Sequence, residues 1–346
     1  DHIHYQYNGM LLGLLLLSVG LLLHGQHASP NSAIYDIYHL SSAACYATLL
    51  NLKHLYLPLA PLYFFYLLGK YCMENKRIKF NKLIPLGIIT GTCLVGPWIP
   101  FLMHDPKGQS IQIFSRLFPF GRGLVHDYWA ANVWALYLLA DKVLGFLVRN
   151  NLVVLPQAVA AVVTGEGGLP DVSPLTCAVL LFLSLLPAMY VGFNHPKKLL
   201  WCIVYSSLSA FMLAYHVHEK AILTTLLPLA LVLLNSGKSS ACHQELFWQM
   251  SLWGLIGLFP LLFDAYELSF KLASFVTYMG FCAIVLKQGY PMLRWMTGLA
   301  AVGVIVILEF VPIQGGMEFL PLMITSVTCA LALVSCWIIS LKEMLS

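Results

Sequence analysis

As a string of hydrophobic and polar positions, the chain is a series of apolar runs separated by short polar interruptions. The runs fall at 9–23, 33–52, 55–71, 83–103, 175–193, 199–215, 221–234, 247–263, 268–286, 292–311 and 320–339. Most approach the roughly 20 residues that a helix needs to cross about 30 Å of hydrocarbon. The pattern predicts an all-α polytopic membrane fold with about eleven spans. The runs at 33–52 and 55–71 are parted only by Lys53 and His54, so those two residues are expected at the tip of a tight helical hairpin. A further apolar segment, 128–148, carries Asp141 and Lys142 mid-length. A charge at bilayer depth costs about 2.5–3.5 kcal/mol on the insertion scale, so this segment is expected to lie at the interface or to re-enter rather than cross.

Orientation follows from the loops. Lys70, Lys76, Arg77, Lys79 and Lys82 make 70–82 the densest basic loop, which the positive-inside rule assigns to the cytosol. Counting outward from it places 1–8 and the Lys53–His54 tip on the opposite side, and the chain returns to that side after 103. If His195-Pro-Lys-Lys, the Lys238 loop, 287–294 and Lys342 are all cytosolic, only an even number of crossings fits between 103 and 175. Residues 104–173 are then one luminal loop carrying an interfacial helix, within a single multi-span domain of residues 1–346. The chain opens on Asp1, with neither an initiator methionine nor a signal peptide, and is read as lacking an N-terminal portion.

Composition narrows the class. With 59% hydrophobic residues and a mean hydropathy of +0.79, an ordinary soluble domain is excluded. The net charge of +4 is scattered between spans, so it argues orientation, and nucleic acid is not an expected partner. The nine cysteines form no Cys-x-x-Cys pair. Neither a disulfide framework nor a zinc site is indicated, and buried thiols are expected to pack as small apolar residues.

Chemistry concentrates in four polar clusters that the topology places on one side: 1–8, Lys53 with His54, 116–127 and 215–220. The third runs Arg-Leu-Phe-Pro-Phe-Gly-Arg-Gly-Leu-Val-His-Asp. Arg116 and Arg122, with Pro119, Gly121 and Gly123 around them, suit a turn-rich loop whose guanidinium forks meet an anionic group such as a phosphate. The same residues also suit an interface loop, with aromatics in the headgroup belt and arginines snorkelling. In Tyr-His-Val-His-Glu-Lys, at 215–220, His216 and His218 are two apart, which suits an irregular helix mouth and not the i, i+4 face of a helical zinc site. Glu219 beside Lys220 reads as a solvated helix end.

Asp-His-Ile-His-Tyr-Gln-Tyr-Asn at 1–8, the arginine loop and His-Val-His-Glu-Lys, in this order and spacing, resemble the endoplasmic-reticulum glucosyltransferases that use dolichyl phosphate glucose to build the lipid-linked oligosaccharide of N-glycosylation. Asn-Leu-Lys-His at 51–54, His216 before Val217, and the run from His126 to Tyr137 look more like the second α-1,3-glucosyltransferase than the first. The resemblance implies a GT-C fold, a luminal active site and an inverting, metal-independent transfer without a cofactor. The implied partners are dolichyl phosphate glucose, the dolichyl-diphosphate-linked oligosaccharide and membrane lipid. The absence of an Asp-x-Asp motif agrees with a donor whose single phosphate is stabilised by Arg, Lys or His as it leaves.

The family's catalytic aspartate lies upstream of the Asp-His-x-His motif at which this chain begins, so the expected base is not in the sequence. The expected contacts to phosphate or sugar are His2, His4, Gln6, Lys53, His54, Arg116, Arg122 and His218, with Asp127 the best-placed local carboxylate. Two alternatives stand beside this: a transporter, against which polar groups gathered at one face argue, and a mannosyltransferase of the same fold.

Overall fold

The computed structural model describes residues 7–117, 123–125, 129–154, 168–235, 240–262, 264–311 and 319–346. All eleven apolar runs form helices. The first are α1 (Asn8–His27) and α2 (Ala33–Leu52), followed by a 3-10 helix His54–Leu59, α3 (Ala60–Leu67) and a π turn Leu68–Cys72. Next come α4 (Phe80–Val95), continued through Gly96–Trp98 by α5 (Ile99–His104), then α6 (Pro106–Leu117) and α7 (Val133–Arg149). The rest are α8 (Pro174–Asn194), α9 (Leu199–Leu213), α10 (Leu223–Asn235), α11 (Ala241–Ile256), α12 (Leu268–Val285), α13 (Pro291–Phe310) and α14 (Leu320–Leu345).

Among the described residues six stretches are long and apolar enough to cross a membrane: α1, 80–104, α8, α12, α13 and α14. That is fewer than the eleven expected, for local reasons. The run at 55–71 is broken by a 3-10 helix that contains Pro58 and by a π turn at Leu68–Cys72, α9, α10 and α11 have 15, 13 and 16 residues, and α2 carries Asp36, His39 and Asn51.

A second difference is α6, which hydropathy alone does not reveal. Asp105 caps it, its Oδ1 accepting the Gly108 N–H at 3.1 Å, and Pro106 takes the first helical position. Apolar Ile111, Phe114 and Leu117 recur at helical spacing between polar residues. Arg116 therefore lies in the last turn of a helix and not in a turn-rich loop.

The chain forms two compact units, one of Asp1–Gly121, Ser184–Ser207 and Met344–Ser346, the other of Arg122–Leu183 and Leu208–Glu343. In the first, α1 and α2 meet through small polar residues that let backbones approach. Ser42 Oγ donates to Ser18 O at 2.8 Å, and the Ser18 hydroxyl lies 3.1 Å from Tyr63 OH. The basic loop is a two-stranded hairpin, β1 (Met73–Glu74) with β2 (Arg77–Ile78). Asn75 and Lys76 turn it at φ +51° and +62°, the left-handed pair that a two-residue hairpin needs. Lys82 leaves the solvent: its Nζ donates to Pro30 O at 2.7 Å and lies over the Tyr35 ring at 4.4 Å, beside Asp36. Lys198 donates to Met344 O at 3.3 Å, and Gln26 Nε2 to Pro196 O at 2.8 Å. The loops around 30, 82 and 196 and the chain's last residues thus meet one another.

The second unit repeats this grouping. His243 Nε2 lies 2.8 Å from Glu343 Oε2, Gln288 N–H donates to Gln244 Oε1 at 2.9 Å, and Arg294 Nε donates to Glu245 at 2.9 Å. Among the described residues, Lys271 and Glu309 form an ion pair buried between spans, at 2.6 Å. It joins the first turn of α12 to the last turn of α13, near span ends rather than mid-depth. Six of the nine cysteines, Cys72, Cys177, Cys202, Cys282, Cys329 and Cys336, are buried thiols.

Candidate functional site

In the second unit the site is built around the start of α7. Asn132 caps that helix, its Oδ1 accepting the Trp134 N–H at 3.1 Å, while its Nδ2 donates to Phe211 O at 3.2 Å. Trp134 Nε1 donates to Ala214 O at 3.1 Å. These bonds tie the start of α7 to the end of α9, from which the His-Val-His-Glu-Lys segment emerges. Asn132→Ala removes the cap and strands a buried carbonyl, and a loss of about 2 kcal/mol is expected. Asn132→Ser, which keeps a capping oxygen, should lose less. Thermal denaturation in detergent measures both, and an alanine variant as stable as the parent would show that this tie does not hold the site.

His216 takes a left-handed conformation at φ +53°. Its N–H donates to Leu124 O at 2.9 Å and its Nδ1 lies 3.1 Å from Gly123 O. The end of the arginine loop and the histidine segment, 93 residues apart in the chain, are therefore joined directly. The rings of His216 and His218 meet edge to face, with centroids 5.6 Å apart. His218 has extended backbone and starts the 3-10 helix Glu219–Ile222, its carbonyl accepting the Ala221 N–H at 3.0 Å. Glu219 is not a solvated end: that helix turns it inward, and it is 3% exposed. Burial lowers the pKa of Lys220, partly offset by Glu219.

Beside this junction lies a cavity of about 310 Å³, whose lining includes Leu124, Tyr137, Asp141, Asp171 and Tyr215. Asp141 Oδ1 accepts two backbone N–H groups, from Gly168 at 2.9 Å and Leu169 at 2.8 Å. The charge that argues against α7 as a span is thus satisfied by a loop folding back on mid-helix. Gly168 is needed there, since a Cβ would stand 2.6 Å from the Leu144 side chain. Tyr137 OH donates to Pro170 O at 2.5 Å, and burial followed by Asp141 and Asp171 raises its pKa.

In the first unit, Lys53 follows α2 and its Nζ donates to Asn8 Oδ1 at 2.5 Å, while Tyr7 OH donates to Leu52 O at 3.2 Å. The hairpin tip therefore meets the end of the 1–8 cluster. Burial and then Lys53 lower the pKa of His54. Arg116 is exposed at the end of α6. His2, His4, Gln6, Arg122 and Asp127 lie outside the described residues.

The polar clusters thus pair within each unit, and comparison with known proteins gives the pairing a context. The chain matches the ALG6, ALG8 glycosyltransferase family over residues 1–340. The chain belongs to that family. It is 35% identical to the dolichyl pyrophosphate Glc1Man9GlcNAc2 alpha-1,3-glucosyltransferase of Gibberella zeae, over 98% of this chain and 69% of that protein. The proteins of the same name from Bos taurus and Arabidopsis thaliana are 35% and 32% identical, over 98% and 100% of this chain and 66% and 71% of theirs. The chain spans about two thirds of the length of these relatives.

Membership of the ALG6, ALG8 glycosyltransferase family agrees with the helical membrane fold and makes the chain a sequence of the membrane glycosyltransferase class, which removes the transporter alternative. The residues that sequence reasoning misses are Asp171, Tyr137 and Tyr215 on the cavity wall. Asp141 enters that reasoning only as a charge that forbids crossing. The available signal is Tyr137 and Asp141 at i, i+4, which puts a phenol and a carboxylate on one face of α7.

Proposed function

We propose that the protein transfers glucose from dolichyl phosphate glucose to the monoglucosylated, dolichyl-diphosphate-linked oligosaccharide at the luminal face of the endoplasmic reticulum membrane. The transfer forms an α-1,3 linkage with inversion. The observation that carries this is the direct bonding of His216 to Gly123 and Leu124, which joins two of the three motifs of the family resemblance into one site. The names of the relatives supply the oligosaccharide and the linkage.

In this mechanism His218 and Arg122 stabilise the negative charge that moves onto the oxygen of the departing dolichyl phosphate as the glycosidic bond breaks. A carboxylate takes the proton from the acceptor hydroxyl, which attacks the anomeric carbon from the opposite face. The role of base is not given to Asp127. Membranes containing the complete protein test the donor: glucose should pass from dolichyl phosphate glucose, and mannose should not pass from dolichyl phosphate mannose. Mannose transfer would establish the mannosyltransferase alternative.

The luminal placement has its own test. Leu124 and Asp171 line one cavity, a proximity that supports an even number of crossings between them. Glycosylation tags inserted at Gly121 and Gly167 are expected to be modified, and one at Lys76 is not. A cytosolic Gly167 would mean that α7 crosses the membrane.

A further inference from the structure

We propose that the cavity between α7, residues 168–172 and Tyr215 holds a neutral hexose, with Asp141 and Asp171 accepting hydrogen bonds from sugar hydroxyls. The proposal deepens the glucosyltransferase function and rests on it. Three observations carry it. The first is size: at about 310 Å³ the cavity lies at the lower end of the range for small-molecule sites, roughly 300–1,000 Å³, and suits one ring rather than a chain. The second is charge, since two carboxylates and two phenols contribute to the wall and, among the described residues, no cationic side chain lines it. Carboxylates repel a phosphate but accept strongly from neutral hydroxyls, so the occupant is the uncharged part of a substrate.

The third is rigidity. Oδ1 of Asp141 is held by the Gly168 and Leu169 N–H groups, which aims the carboxylate, and among the described residues no hydrogen bond engages its Oδ2. Tyr137 pins the same loop at the next residue, Pro170. The remaining wall, Leu124 and Tyr215, flanks the junction that His216 makes with Gly123 and Leu124. Leu124 follows Arg122 by two positions in the chain. A phosphate site on the arginine and histidine side and a sugar site on the carboxylate side would then share one loop.

The hexose could belong to the donor or to the acceptor's terminal glucose, and kinetics separates them. The experiment is Asp171→Asn and Asp141→Asn in the complete protein, with membrane abundance checked and KM measured separately for dolichyl phosphate glucose and for the monoglucosylated lipid-linked oligosaccharide. Asn at 141 keeps an oxygen for the two N–H groups, so its fold should survive. Each loses a charged acceptor, and KM for one substrate should rise about tenfold or more with kcat changed less. A rise for the donor alone assigns the donor glucose, and a rise for the acceptor alone assigns the acceptor. Unchanged KM for both at normal abundance overturns the sugar site, and so does a fall in donor KM, which marks a phosphate subsite. A parent protein that transfers glucose while the variants keep their KM sinks the cavity alone, whereas a parent that transfers none sinks the proposed function with it.

Discussion

Alanine at position 218 of the complete protein is expected to cut the rate constant for glucose transfer by about 10²- to 10³-fold, with little change in KM. The magnitude follows from where the charge goes. The donor phosphate carries negative charge in the ground state, and more arrives at the bridging oxygen as the glycosidic bond lengthens. A cation or donor fixed at that oxygen therefore gains strength at the transition state, and its loss falls on kcat. His218 is held in place for such a role. Its backbone is extended at the entry to a 3-10 helix, its carbonyl accepts the Ala221 N–H, and its ring packs edge to face on His216. Arg122→Ala should behave alike, and Arg122→Lys, which keeps charge but loses the planar fork, should recover only part of the rate. Normal turnover by both alanine variants at normal membrane abundance would make these residues interface anchors.

The second large effect falls on stability. Glu245 is 5% exposed and accepts from Arg294 Nε at 2.9 Å, Tyr290 N–H at 3.2 Å and Gln249 Nε2 at 2.6 Å. Arg294 also donates to Leu286 O and Gln288 O, at 2.9 and 2.8 Å, and stands over the Trp248 ring. This knot closes the turn between α12 and α13 onto α11. Glu245→Ala leaves a partly buried guanidinium without its carboxylate, and removing one partner of such a pair costs about 3–5 kcal/mol. That is a large share of the roughly 5–15 kcal/mol by which domains are stable. A marked fall in membrane abundance and melting temperature is expected, and a milder one for Glu245→Gln, which keeps an acceptor. Gly289, at φ +151°, should be equally intolerant, because a Cβ there would collide with Arg294 and Glu245. An alanine variant at 245 that melts with the parent would show the pair to be dispensable.

Much of the fold is legible in the sequence because membrane helices announce themselves by apolar length, and each of the eleven runs is helical. The exceptions have physical causes. α6 is amphipathic, so its average hydropathy is unremarkable, and only Asp105-Pro106 signals its start. Glu219 reads as solvated because charge adjacent to charge does so in sequence, whereas its burial comes from the turn of the helix it opens. The role of Asp141 depends on N–H groups 27 and 28 residues later, and the His216–Gly123 junction spans 93 residues. Pairings of that range leave no local periodicity. The motifs point to them only through family resemblance.

Whether this is the glucosyltransferase that acts second is settled by the acceptor. The complete protein, purified into lipid and given dolichyl phosphate glucose, is offered lipid-linked oligosaccharides bearing no glucose, one glucose or two. Extension of the monoglucosylated acceptor alone, by one α-1,3-linked glucose, is the expected result; extension of the unglucosylated acceptor in its place would contradict the proposed function.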